Sequence, residues 1–146
     1  MKKIKPALGW REWANLPELS RKKIKVKVDT GARTSSLHAV NIKITGEKRR
    51  TVHFDFNPDQ DGGKLIHCKL PLVDERKVKS SNGISSLRPV IEVDITIGEH
   101  SWPIEITLVD RDMMGFRMLL GRQAMRDKFL VDPGESFLLG KANNKK

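Results

Sequence analysis

One cysteine, no tyrosine and an aromatic content of only 5% set the first bounds on this 146-residue chain. Cys68 alone can close no internal disulfide, which excludes a Cys-stapled secreted scaffold. The 11 glycines and 7 prolines follow no period, so a collagen-like or fibrous chain is excluded as well. No apolar run approaches the ~20 residues of a membrane span, and no basic N-terminal stretch joins an apolar h-region. A reducing, cytoplasmic setting without membrane contact is therefore expected. Scarce aromatics also leave few platforms on which bases could stack, which counts against a nucleic-acid partner. Acidic residues are in deficit: 28 Lys and Arg face 18 Asp and Glu, a net charge of +10. Such a surface attracts phosphates or carboxylates and speeds encounter with acidic partners, without saying which.

At 38% hydrophobic and 32% charged, the chain can build a core and has the length of a single domain, 1–146. Its ends, Met1 to Lys5 and Lys141 to Lys146, are basic and lack a periodic apolar face. They read as tails around a folded part of roughly residues 8–140. Within it, apolar residues alternate with period two: Ile24, Val26 and Val28; Val40, Ile42 and Ile44; Val52, Phe54 and Phe56; Ile66, Cys68, Leu70 and Leu72. Ile91 to Ile97 and Trp102 to Leu108 continue this across Gly98-Glu99-His100, a hairpin signal. The helix candidate is short, Arg122 to Lys128, directly after Gly121. Many strands and little helix predict an all-β fold, a closed barrel or a sandwich.

The strand ending at Val28 runs into Asp29-Thr30-Gly31-Ala32. There a carboxylate stands at a strand end, Gly31 permits close backbone approach, and the Thr30 hydroxyl can rigidify the turn. This suits a positioned catalytic acid. The tripeptide alone arises by chance in roughly one chain in twenty of this length, so an ordinary turn is the competing reading. A carboxylate that works as one half of an acid–base pair would need a second carboxylate with which to share a proton. The chain offers one Asp-Thr-Gly; the neighbourhoods of Asp59 to Gly63 and of Asp132 to Gly134 lack the hydroxyl residue and the preceding strand. A second Asp29 would have to come from a two-fold-related copy, a homodimer.

Far downstream, Met118-Leu119-Leu120-Gly121-Arg122 leads into the short helix. This pairing resembles the retropepsin-like aspartic peptidases, where the Asp-Thr/Ser-Gly-Ala loop is backed by a second apolar strand ending in glycine. Six segments narrow the likeness: GWREW (Gly9 to Trp13), KVDTGARTSSLHA (Lys27 to Ala39), LPLVDERKVKSSNG (Leu70 to Gly83), RPVIEV (Arg88 to Val93), WPIEITLVDRDMMGFRMLLGRQAM (Trp102 to Met125) and LVDPGES (Leu130 to Ser136). Together they resemble the bacterial RimB-type family, long labelled ATP-dependent zinc proteases and found near enzymes that ligate glutamate to proteins or peptides. The resemblance implies a retropepsin-like closed β-barrel with one short C-terminal helix. It places the catalytic role on Asp29 with Thr30 and Gly31, and the backing strand on Leu119, Leu120 and Gly121. It further implies an acidic or poly-glutamate peptide or protein substrate and an association with a glutamate ligase system.

Neither half of the old label has support in the residues. His38, His53, His67 and His100 form no H-E-x-x-H or short Cys/His pair, and no Walker G-x-x-x-x-G-K-[ST] is present, so no cofactor is expected. Ala32 and Arg33 beside the turn, and Arg117 and Arg122 around the backing strand, are candidate substrate-binding residues. Arg76 and Arg88 also flank the motif segments. The alternative for any of these arginines is an ion pair with Glu12, Glu75, Glu92 or Asp110 that holds a loop. Lys79-Ser80-Ser81-Asn82-Gly83 is a candidate flap tip, with Ser81, Asn82 and Gly83 near substrate; a plain hairpin loop fits equally. Trp10, Trp13 and Trp102 read as core or dimer-contact residues. The expected activity is metal-independent peptide hydrolysis. The runner-up is a non-catalytic basic module of this fold that binds nucleic acid or a ligase partner.

Overall fold

In the computed structural model, which describes residues 4–59, 63–79, 82–111 and 115–140, the period-two segments are strands. In chain order they are β1 (Ala7–Leu8), β2 (Arg11–Ala14), β3 (Ile24–Asp29), β4 (Ser35–His38), β5 (Val40–Thr45), β6 (Thr51–Phe56), β7 (Ile66–Pro71), β8 (Asp74–Lys79), β9 (Ser85–Ile97), β10 (His100–Val109), β11 (Met118–Gly121) and β12 (Leu130–Val131). Helix α1 (Arg122–Met125) separates β11 from β12. Alternation puts Ile24, Val26 and Val28 of β3 inside and its lysines outside; Val52, Phe54 and Phe56 of β6 follow the same rule. Each fully buried Ile, Leu or Phe contributes about 1.5–3 kcal/mol against its exposed state.

Seven strands share one sheet in the order β2-β3-β11-β4-β10-β9-β8, β5-β6-β7 form a second, and β1 pairs with β12. The large sheet is mixed: β11 runs parallel to β3 and antiparallel to β4, while β4 runs parallel to β10. Such crossings bring distant segments together and set the Asp29 turn beside Gly121.

Two expectations require correction. The sheet is open, not a closed barrel. Its edges, β2 and β8, form no ladder with each other, and the curl brings only Asn15 opposite Thr96, through reciprocal hydrogen bonds of 2.8 and 2.9 Å. The physical reason lies in β9. Its residues up to Val90 pair with β8, whereas those from Val90 onward pair with β10, so the β8–β9 hairpin projects from the sheet instead of closing it. The helix is also shorter than Arg122 to Lys128, ending at Met125. Asp127 takes φ +67°, and the Lys128 and Phe129 amides both turn back to the Met125 carbonyl, ending the helical ladder.

The chain ends are held by a buried acid. Glu12 is 0% exposed and accepts hydrogen bonds from the backbone N–H of Gly9 (2.6 Å), Leu138 (3.0 Å) and Leu139 (3.2 Å). The tryptophans pack within the chain: Trp10 edge-on to Phe116, Trp13 stacked on Phe137, and Trp102 against Phe129 with its indole N–H donating to the Ala124 carbonyl. Among the described residues no helix is long and apolar enough to cross a membrane.

Candidate active site

Asp29 ends β3 directly opposite Gly121 of β11. Its Oδ1 accepts the Gly31 N–H at 3.0 Å and its carbonyl accepts the Ala32 N–H at 3.2 Å, so side chain and backbone together close the turn. Helix α1 fits onto this turn. The Arg122 N–H donates to the Ala32 carbonyl (2.8 Å) and the Gln123 N–H to that of Arg33 (3.2 Å). Two amides that a helix start leaves unpaired are thereby satisfied, although Gly121 provides no side-chain cap. The Arg122 guanidinium reaches back to the carbonyls of Thr30 (3.4 Å) and Gly31 (3.2 Å).

Beneath the turn, buried hydroxyls fix the strands. The Gly121 N–H donates to Ser35 Oγ at 3.0 Å, and Thr107 Oγ1 donates to the Ser35 carbonyl at 3.1 Å. Thr107 having spent its proton, the Ser36 hydroxyl donates to it across 3.0 Å. Gly121 is required here because a Cβ would lie 2.5 Å from both C and O of Thr34.

The half-buried Asp29 opens onto a cleft of about 990 Å³. The turn and β4 form one wall, β8 another, and Arg88, Glu105 and Arg111 also line it. Its charge is mainly positive: Lys27, Arg33, Arg76, Lys77, Lys79, Arg88 and Arg111 against Asp29 and Glu105. Arg76 is neutralised, with Nη2 2.7 Å from Glu105 and Nε 3.0 Å from Asp74, and these partners raise its pKa. Arg88 is 7% exposed, and its one hydrogen bond among the described residues runs from Nε to Ser86 Oγ at 3.1 Å. Burial, and then the nearby charge of Arg111, lower its pKa from the ordinary arginine value.

The structure brings Asp29, Gly31, Ala32 and Arg33 into this cleft. Thr30, Arg33 and Arg122 line a smaller neighbouring cavity of about 460 Å³, with Arg122 engaged in holding the turn. Arg117 lines neither; its Nε is buried without a hydrogen-bond partner, and its backbone bridges β3 and β4 by bonds to Lys25 and His38. Of the candidate flap tip, Ser80 and Ser81 lie outside the described residues. Asn82 and Gly83 (φ +87°) follow in the connection of the β8–β9 hairpin and are not among the residues that line the cleft, while Lys77, Val78 and Lys79 of β8 do line it. Sequence reasoning passed over Arg111, Lys77, Ser35, Ser36 and Thr107. The Thr34-Ser35-Ser36 run was the available signal for the hydroxyls, whereas nothing local marked Arg111.

Among the described residues no group of three or more His, Cys, Asp or Glu side chains is placed to hold a metal ion. His53 and His67 stack at 5.8 Å, but their ring nitrogens go to Thr45 (3.1 Å) and Asp55 (3.0 Å), and these two histidines are no zinc shell. The Asp55 carboxyl is held below its ordinary range by hydrogen bonds from Asn41 and His67.

A family model described as "Retropepsin-like aspartic endopeptidase RimB" matches residues 7–142. A curated protein of Shewanella halifaxensis, "Probable alpha-L-glutamate ligase", is 49% identical over 139 residues, 94% of this chain and 30% of that protein. Proteins of the same name from Shewanella pealeana and Parasynechococcus marenigrum are 50% and 46% identical over 135 residues, in both cases 91% of this chain but only 30% and 29% of theirs. The chain thus spans about 30% of the length of these curated relatives. The crystal structure of a Legionella pneumophila protein of unknown function superposes with a TM-score of 0.76 at 31% identity, covering 92% of this chain and 98% of that one.

Proposed function

Since the chain belongs to the RimB-like family of retropepsin-like aspartic endopeptidases, we propose that it hydrolyses peptide bonds with paired Asp29 carboxylates from two copies. The observation that carries the reading is the placement of Asp29: a half-buried carboxylate at a strand end, held by the Gly31 N–H and facing an open cleft. Two such carboxylates at a dimer axis would share one proton. The ionised member takes a proton from water, whose oxygen attacks the scissile carbonyl carbon while the protonated member donates to the carbonyl oxygen. Collapse of the tetrahedral intermediate breaks the C–N bond: the protonated member gives its proton to the leaving amine while the ionised member takes the proton of one geminal hydroxyl, so the dyad keeps its single shared proton. The β8–β9 hairpin projects beside the cleft as a flap would, to exclude water from a bound strand.

Acidic peptides are the proposed substrates, poly-glutamate segments among them. Seven cations line the cleft, and the larger relatives carry the name of a glutamate ligase. Asp29→Asn keeps the shape of the side chain but cannot form the proton-sharing dyad. We expect this variant to lose cleavage of oligoglutamate by at least about 10³-fold with unchanged thermal unfolding, the products being read by mass. Equal turnover would remove Asp29 from the mechanism. The relatives' name also favours a second reading, a non-catalytic module that presents substrate to a ligase. In that case the wild type and the Asp29→Asn variant would stimulate glutamate ligation alike and neither would cleave.

A further inference from the structure

Arg88 is anomalous among the cleft's cations. Lysines and exposed arginines lose little by lacking a partner, since water solvates them. An arginine that is only 7% exposed has given up most of its hydration and is normally offset by a carboxylate. Arg76, directly opposite Arg88 across the β8–β9 ladder, has two carboxylates. Arg88 has the Ser86 hydroxyl, which occupies Nε alone, and no ion pair among the described residues. Its terminal nitrogens are also absent from the fully buried, unsatisfied groups, where Arg117 Nε stands alone among the described residues. They therefore retain access to solvent, and because Arg88 lines the cleft that access is through it. Arg111 lines the same cleft; of the acids that line it among the described residues Glu105 is engaged by Arg76, and none is paired with Arg88.

Building on the reading of this cleft as a peptide site, we infer that Arg88, supported by Arg111, is a carboxylate-binding subsite that selects an anionic group of the bound chain. The fork of free Nη atoms suits the two oxygens of a carboxylate. Its position is remote from the turn. Counting β3, β11, β4, β10 and β9, the strand of Arg88 lies four strands from that of Asp29, a lateral separation of ~19 Å at ~4.8 Å per strand. An extended chain covers that distance in roughly six residues. Remoteness matters chemically, because a guanidinium beside the dyad would favour full ionisation and oppose the shared proton. Binding energy gathered at this distance can instead hold the scissile bond in register.

The test separates binding from cleavage by using the full chain carrying Asp29→Asn. Calorimetry with hexaglutamate and hexaglutamine should show the acidic peptide bound at least tenfold tighter. Adding Arg88→Gln should abolish that preference and leave hexaglutamine affinity unchanged; Arg88→Lys should restore part of it. C-terminally amidated hexaglutamate distinguishes the source of the anion. Unchanged affinity assigns side-chain carboxylates, and a tenfold loss assigns the terminal carboxylate. A folded Arg88→Gln protein that still prefers hexaglutamate tenfold overturns the subsite. Should Arg88→Gln fail to fold, exposed Arg111→Gln must lower hexaglutamate affinity selectively by about threefold, and no change overturns the inference. Selective binding by a wild-type chain that cleaves nothing would remove the peptidase reading and leave the subsite standing.

Discussion

Three buried ionisable side chains show how the same burial has different consequences according to partners. Glu12 loses its water but gains three backbone N–H donors, and serves as a clamp between the two chain ends. Arg88 gains one hydroxyl and stays open to the cleft. Cys68, inward on β7 and 7% exposed, has only a weak contact from Sγ to the Ile66 carbonyl at 3.7 Å. Burial, with the Asp55 charge adding to it, pushes its thiol from 9.0 up to about 11. At pH 8 the native thiolate fraction should be roughly a hundredfold below that of the unfolded chain, and iodoacetamide labelling should slow accordingly. The linked stability has a definite sign. Between pH 9 and about 11 the unfolded thiol gives up its proton while the native one keeps it, so stability falls as pH rises through that window. Urea unfolding of the wild type should show this loss relative to Cys68→Ala, and parallel pH profiles would refute it.

At the scale of elements, the turn, β11 and α1 stand or fall together. The turn carbonyls of Ala32 and Arg33 satisfy the first amides of α1, and Arg122 of α1 returns two hydrogen bonds to the turn. Gly121 is the point where these pieces meet without room for a methyl group. Gly121→Ala should therefore cost about 2 kcal/mol or more in urea unfolding, and should impair cleavage by displacing Asp29. An unchanged midpoint with full activity would show that the packing yields easily. Local pattern could not give the helix length, because the Met125 carbonyl and the positive φ of Asp127 end it for reasons of nearby packing. Nor could alternation reveal that β9 changes partner at Val90, since both halves of the strand alternate in the same way.

For the whole molecule, stoichiometry is the sharpest consequence of the proposed chemistry. One chain carries one Asp-Thr-Gly, so specific activity should fall on dilution through the dimer dissociation constant. Sedimentation at the assay concentrations checks this, and a fully active monomer would contradict the two-chain dyad. The net charge of +10 acts at the same scale: added salt should slow capture of acidic peptides more than of neutral ones.

Strands, the inward phase of Cys68 and the Asp29 turn were readable from the sequence, because period-two alternation and turn chemistry are local properties. The segments surrounding Asp29 carried the family as well. Tertiary structure alone decided that the large sheet stays open, that Arg122 braces the turn, and that Arg88 and Arg111 meet Asp29 in one cleft. Those outcomes depend on mixed parallel and antiparallel pairing between segments up to about ninety residues apart. An arginine in the sequence has the same charge wherever it lies; burial, the identity of its partners and the cavity it faces determine whether that charge holds a loop or awaits a ligand.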